Sequence, residues 1–197
     1  MAAPVEHDKR QKKILEKALT VFEEEGFEDA TYQKIADKCG ITRTILYLYF
    51  KNKKGIFVYS IKQFLTIIEE KLISIRANSS LSCQEKLTKV LFEVFNLFEK
   101  NLKLLFVLID YLLHISKKEV NPGARVRRRI IKLHHILANI IVDGMRSGEL
   151  KKTNVKKVRY YLHTFIETAV YQLAVLKNDN LDELREAVVF AVEQLKA

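Results

Sequence analysis

Apolar residues recur at intervals of three and four along most of the chain, and no segment alternates apolar with polar positions long enough to mark a strand. From Asp8 to Glu25, Ile14, Leu15, Ala18, Leu19 and Phe22 fall on one side of a helix, and Gly26 follows where a helix end favours a left-handed residue. Thr31 is placed to cap a short second helix that buries Ile35, Ala36 and Cys39 and stops at Gly40; Thr42 is placed to cap a third. Asn52 can cap a fourth, a long amphipathic rod through Phe57, Ile61, Phe64, Leu65, Ile68 and Leu72 to about Arg76. Residues 77–82 read as a loop. Further helices are predicted over about 83–101, 102–118, 123–147, 154–177 and 181–196, separated by "NPG", "RSGEL" and "KNDN". The expected fold is all-α with about nine helices: three small N-terminal ones over residues 1–54, then a larger helical domain over 55–197.

The third helix has two working faces. At 100° per residue, Ile45, Leu46, Tyr49 and Phe50 form one half and suit a core, while Arg43, Thr44, Tyr47 and Leu48 form the other. Barely two turns long, it is not stable alone and must lean on the first two helices. The turn "CGIT", with glycine at the bend and Ile41 tucked inward, completes a helix-turn-helix over about residues 31–50. Such a motif offers its recognition helix to base edges while its neighbours grip phosphates. Arg43 can donate two hydrogen bonds to guanine, Thr44 can bond a base edge or phosphate, Leu48 can meet a thymine methyl, and Tyr47 can bond a phosphate. Asn52, Lys53 and Lys54 put a helix N-terminus and two ammonium groups beside it, an anion site.

Net charge changes this picture only when it is localised. The 197 residues carry a formal +10, but residues 1–58 hold 11 Lys and Arg against 9 Asp and Glu. Within them, residues 6–29 have 5 basic and 8 acidic side chains, and residues 30–54 have 6 basic and one acidic. The positive charge therefore concentrates on the helix-turn-helix. Cys39 and Cys83 are far apart and belong to no C-x-x-C pattern, so no disulfide framework, zinc site or other metal site is expected. The N-terminus has no apolar export segment, and "LLFVLIDYLLHI" is too short to span a bilayer, so the expected location is the cytoplasm.

The stretch "ILEKALTVFEEEGFEDATYQKIADKCGITRTILYLYFKNKKGIF" resembles the DNA-binding domain of the TetR family of transcriptional regulators. It matches that family's first helix, its G-[YF]-x-x-[TA]-T lead into helix two, its IA-x-x-[AC]-G turn and its LY-x-[YH]-F-x-x-K run. The resemblance implies DNA contact from Thr31, Tyr32 and Gln33 at the start of helix two, and from Thr42, Arg43, Thr44, Ile45, Tyr47, Leu48 and Tyr49 in helix three. It also implies contact from Lys53 at the start of helix four. The chain departs from the family pattern at Thr44, Ile45, Leu48 and Gly55, and the first three alter side chains directed at the groove.

A reader of two half-sites needs a second copy of itself. Residues 154–177 and 181–196 are apolar on more than one side, through Val158, Leu162, Phe165, Ala169 and Leu176 on the first and Leu184, Val188, Ala191 and Leu195 on the second, so each needs more than one neighbour. The family resemblance implies that they pair with their copies in a homodimer. It also implies an effector pocket among the middle helices for a small apolar or amphipathic ligand, with Phe95, Phe106, Ile109, Tyr111, His114, His135, Tyr161, His163 and Phe165 as candidate lining. Arg125 to Arg129 form either a solvated helix face or a seat for an anionic effector.

No His pair has H-x-x-x-H spacing, and neither a Gly-rich phosphate loop nor a nucleophile elbow occurs, so no enzyme and no cofactor is expected. The expected function is a ligand-responsive repressor acting as a homodimer on a palindromic, double-stranded operator. The alternative is a helical ligand-binding or adaptor protein without specific DNA binding, which leaves the N-terminal segment unexplained.

Overall fold

The computed structural model describes the backbone of residues 3–116 and 124–197 and the side chains of 6–112 and 131–197. His114 and the Arg125 to Arg129 run therefore lie outside the residues described in full. Among the described residues the named elements are all helices: α1 Ala3–Asp29, α2 Tyr32–Cys39, α3 Arg43–Tyr49, α4 Lys53–Ala77, α5 Cys83–Lys100, α6 Leu102–Ser116, α7 Ala124–Ser147, α8 Val155–Ala174 and α9 Asp182–Glu193. No helix among them is long and apolar enough to cross a membrane.

The helix ends follow the capping chemistry of the sequence. Thr31 Oγ1 accepts from the Lys34 N–H at 3.2 Å, Thr42 Oγ1 from Ile45 at 3.3 Å, and Asn52 Oδ1 from Gly55 at 2.8 Å. Gly40 closes α2 in the left-handed region, at φ 67°, which places the sharp bend of the helix-turn-helix. Gly26, at φ 77° and ψ 164°, interrupts α1 where the first helix is expected to stop, and one more turn follows before α2. Ser82 and Glu85 build a reciprocal capping box at the start of α5.

The chain forms two compact units, Met1–Phe64 with Lys103–Val120, and Leu65–Leu102 with Asn121–Ala197. The first unit is thus larger than the helix-turn-helix segment 1–54. Its core holds Ile14, Ala18 and Phe22 of α1, Ile35 of α2, Leu46 of α3 and Phe57 of α4, and it recruits Val107 from α6. The α6 residue Asp110 accepts the Phe27 N–H at 3.0 Å just past the Gly26 break, and Tyr111 sets its ring 4.7 Å from Phe27 and 4.6 Å from Phe57. In the second unit α5 packs with α7, α8 and α9 around Leu91, Phe95, Leu137, Ile141, Leu162 and Val188, all buried. The C-terminus closes back on the α7–α8 link, where the Lys151 N–H donates to Leu195 O at 2.9 Å. α8 ends at Ala174, so Leu176, expected on its apolar face, lies beyond the helix and is exposed.

Candidate nucleic-acid interface

The two faces of α3 part as the periodicity predicts. Leu46 and Phe50 are buried and Ile45 and Tyr49 half-buried, while Arg43, Thr44, Tyr47 and Leu48 are exposed, Leu48 by 75%. A leucine left that open on a seven-residue helix contributes nothing to the core of its own unit. Arg43 lies along Tyr47, donating from Nη2 to the hydroxyl at 3.3 Å with its guanidinium carbon 6.0 Å from the ring centre. Neither contact commits the guanidinium to a carboxylate.

The other predicted contact residues divide by what already occupies them. Thr31 and Thr42 use one oxygen lone pair in capping and keep their hydroxyl protons for an outside acceptor. Gln33 donates to Asp37 at 2.7 Å across one turn of α2 and keeps its carbonyl oxygen. Tyr32 is committed inward. Its hydroxyl donates to Phe50 O at the end of α3, and its ring lies 4.7 Å from Tyr47. Burial, and secondarily Tyr47, push its pKa up to about 12, so it stays a neutral donor.

Lys53 is also turned inward. Its ammonium donates to the carbonyls of Phe27 at 2.8 Å, Glu28 at 2.5 Å and Ala30 at 3.0 Å, and it sits 5.0 Å from the Phe27 ring centre. It therefore ties the start of α4 to the turn between α1 and α2. The anion site expected from two converging ammonium groups keeps Lys54, exposed on the first turn of α4, and exposed Lys51 beside it. Lys53→Ala should lower stability by about 1–3 kcal/mol, because carbonyls at a helix end lose a charged donor. Urea unfolding followed by circular dichroism measures that loss.

The structure also resolves the charge of α1, which the residue count averages away. Glu23, Glu24 and Glu25 are taken up by Lys103 at 2.7 Å, Lys38 at 3.0 Å and Lys34 at 2.6 Å. In the first turns of the same helix Lys9, Arg10, Lys12 and Lys13 are exposed and have no carboxylate partner among the described residues. That end of α1 is held beside α3 and α4. His7 stacks on Tyr49 at 4.7 Å and 26°, and the Tyr59 hydroxyl donates to Gln11 Oε1 at 3.2 Å. The signal legible in the sequence was the run "KRQKK", hidden within a net acidic segment.

The residues expected to meet an effector divide between the two units. Tyr111 belongs to the aromatic core of the first unit, and Phe106 and Ile109 fall in that unit with it. Within the second unit Phe95 is core, His135 is exposed, Tyr161 pairs edge to face with Phe165 at 5.4 Å, and His163 is buried against His134. A depression of about 400 Å³ between α5 and α9 is lined by Phe92, Arg185, Glu186, Val189, Phe190 and Glu193, none of them an expected effector residue.

A short helix with an open, cation-bearing face, capped and braced by two others, is the arrangement of a helix-turn-helix. Residues 14–59 match the family described as bacterial regulatory proteins, tetR family. Over that segment the chain is similar to this family of regulators. Across 87% of its length, and 91% of the relative's, it is 27% identical to the fatty acid metabolism regulator protein of Bacillus subtilis. It is 30% identical to the biofilm operon icaADBC negative transcriptional regulator IcaR of Staphylococcus aureus over 47% of its length and 50% of that protein's. Among solved structures it is similar to the regulator FadR of Bacillus subtilis in complex with stearoyl-CoA, at a TM-score of 0.72 and 24% identity over 94% of this chain and 97% of that one.

Proposed function

We propose that the protein is a homodimeric repressor that grips a palindromic operator through α2 and α3 and lets go when an acyl-type ligand binds the second unit. The observation that carries DNA binding is the open face of Arg43, Thr44, Tyr47 and Leu48. Thr31, Gln33 and Thr42 add hydroxyl and amide contacts to phosphates, and Lys51, Lys54 and the exposed cations of α1 extend the grip along the backbone. Tyr32, Lys53, Ile45 and Tyr49 position this surface from behind.

The IcaR relative is a negative transcriptional regulator, which supports repression, and an acyl ligand is suggested by the fatty-acid regulator and by the stearoyl-CoA complex. Dimerisation is supported by large apolar side chains left open on the last two helices, Tyr160, Tyr171 and Phe190 above all. α4 is the route for coupling, since Lys53–Ala77 is one helix whose residues divide between the two units at Phe64.

Fluorescence anisotropy on duplex DNA tests the reading. Affinity should fall steeply with salt, by a log–log slope of about −0.9 for each phosphate neutralised. Changing Lys9, Arg10, Lys12 and Lys13 to Ala together should flatten that slope without changing the preferred sequence. Stearoyl-CoA should release the DNA. A flat slope in the unaltered protein would refute DNA binding, and release by no acyl-CoA would refute the ligand assignment.

A further inference from the structure

Among the described residues, three buried side-chain nitrogens have no hydrogen-bond partner: His134 Nε2 on α7, and Arg159 Nε and His163 Nδ1 on α8. They lie together. The rings of His134 and His163 meet edge to face at 4.6 Å, and Arg159 precedes His163 by one turn of α8, on the same side of the helix. The His163 side chain is only 8% exposed. Buried polar atoms are nearly always satisfied, so three orphans at one place mark a group that the described residues do not supply.

The chemistry of the three atoms selects that group. Arg Nε is a permanent donor, and a neutral imidazole donates from whichever nitrogen holds its proton. Burial first, then His163, Arg159 and His135, pull His134 down to about 4; burial likewise lowers His163, opposed by Glu167. Both rings are therefore neutral near pH 7 and free to place protons on His134 Nε2 and His163 Nδ1. Glu167 stands 3.6 Å from the other nitrogen of His163, leaving Nδ1 open. Arg159 has no carboxylate partner among the described residues. A cation is repelled by that guanidinium, and no group of three or more His, Cys, Asp or Glu suited to a metal ion occurs among the described residues.

We propose that His134, Arg159 and His163 form a buried oxyanion site between α7 and α8 that takes a carboxylate. The anion site does not rest on the acyl-CoA reading above, whose thioester carries no carboxylate; its identification with an effector head group rests on the ligand-responsive reading with a free fatty acid as the ligand. The carboxylate accepts from Arg159 Nε and from the two imidazoles, and the neutral head group of an alcohol leaves the guanidinium charge unanswered.

The test titrates the full chain with dodecanoate, dodecanol and inorganic phosphate by calorimetry and follows histidine side-chain nitrogens by NMR. Dodecanoate is expected to bind at least about tenfold more tightly than dodecanol, and to move the His134 and His163 signals while His135 stays put. Arg159→Met should erase that preference and leave dodecanol binding unchanged, while Arg159→Lys keeps part of it. Phosphate binding with equal imidazole shifts and no dodecanoate binding would replace the carboxylate with a free inorganic anion and overturn the assignment. It is equally overturned if neither amphiphile binds, if dodecanoate binds with both imidazoles unmoved, or if Arg159→Met leaves the preference intact. Should Arg159→Met fail to fold by circular dichroism, the imidazole shifts of the unaltered protein decide alone. Operator release by stearoyl-CoA is read separately, so a working anion site without release would sink the regulatory reading and spare the site.

Discussion

Phe190→Glu is expected to leave the fold intact, convert the proposed dimer to a monomer and weaken binding to a two-half-site operator by about 10²-fold or more. Phe190 is 65% exposed on α9, so its loss removes little from the core of its own unit. On α8, Tyr160 and Tyr171 stand open as well, at 62% and 53%, and three large aromatics held in water on adjoining helices are better explained by a second copy than by solvent. A carboxylate at the centre of that contact is buried without a partner in the dimer and well solvated in the monomer. Each monomer still carries an intact α3, so binding to a single half-site should change little. The large loss comes from severing the linkage that makes the second half-site an intramolecular event. Sedimentation and anisotropy on full and half operators measure both effects. A dimer that persists with unchanged operator affinity would place the contact elsewhere.

Arg43→Ala is the second large effect. The Arg43 guanidinium is exposed on the first turn of α3, has no carboxylate partner among the described residues, and is pre-aimed by its contact with the Tyr47 hydroxyl. A bidentate guanidinium on guanine is worth about 1–3 kcal/mol of discrimination, so specific affinity should fall by up to roughly 100-fold. Binding to unrelated DNA should fall much less, by the share of a single charge. Competition of operator against random duplex separates the two. An equal loss on every sequence would make Arg43 a phosphate contact.

The helix-turn-helix was legible in the sequence because its determinants are local. Thr31, Thr42 and Asn52 cap where their side chains predict, and the phase of Leu46 and Phe50 fixes which half of α3 meets the core. What escaped depends on contacts distant in the chain. Tyr111 carries the same aromatic signal whether it lines a pocket or packs on Phe27 and Phe57, and only the return of α6 to the first unit decides. Lys53 opens a helix, where an ammonium suits an anion, yet the carbonyls of Phe27, Glu28 and Ala30 reach it first. In the His134–His135 pair the two rings point about 100° apart, and which one is buried depends on the side of α7 that faces α8. The sequence pointed to His135; the structure leaves His135 exposed and encloses the Nε2 of half-buried His134.

The dimer, the effector and the coupling through α4 matter only if α3 reads sequence in the groove. Selection of bound duplexes from a random pool by the 197-residue chain tests this most directly. The expected result is enrichment of an inverted repeat whose half-sites are centred about 10–10.5 base pairs apart, or a multiple of that, and loss of the enrichment in Arg43→Ala. A pool that stays random after repeated rounds, or that enriches the same sequence with and without Arg43, would contradict it.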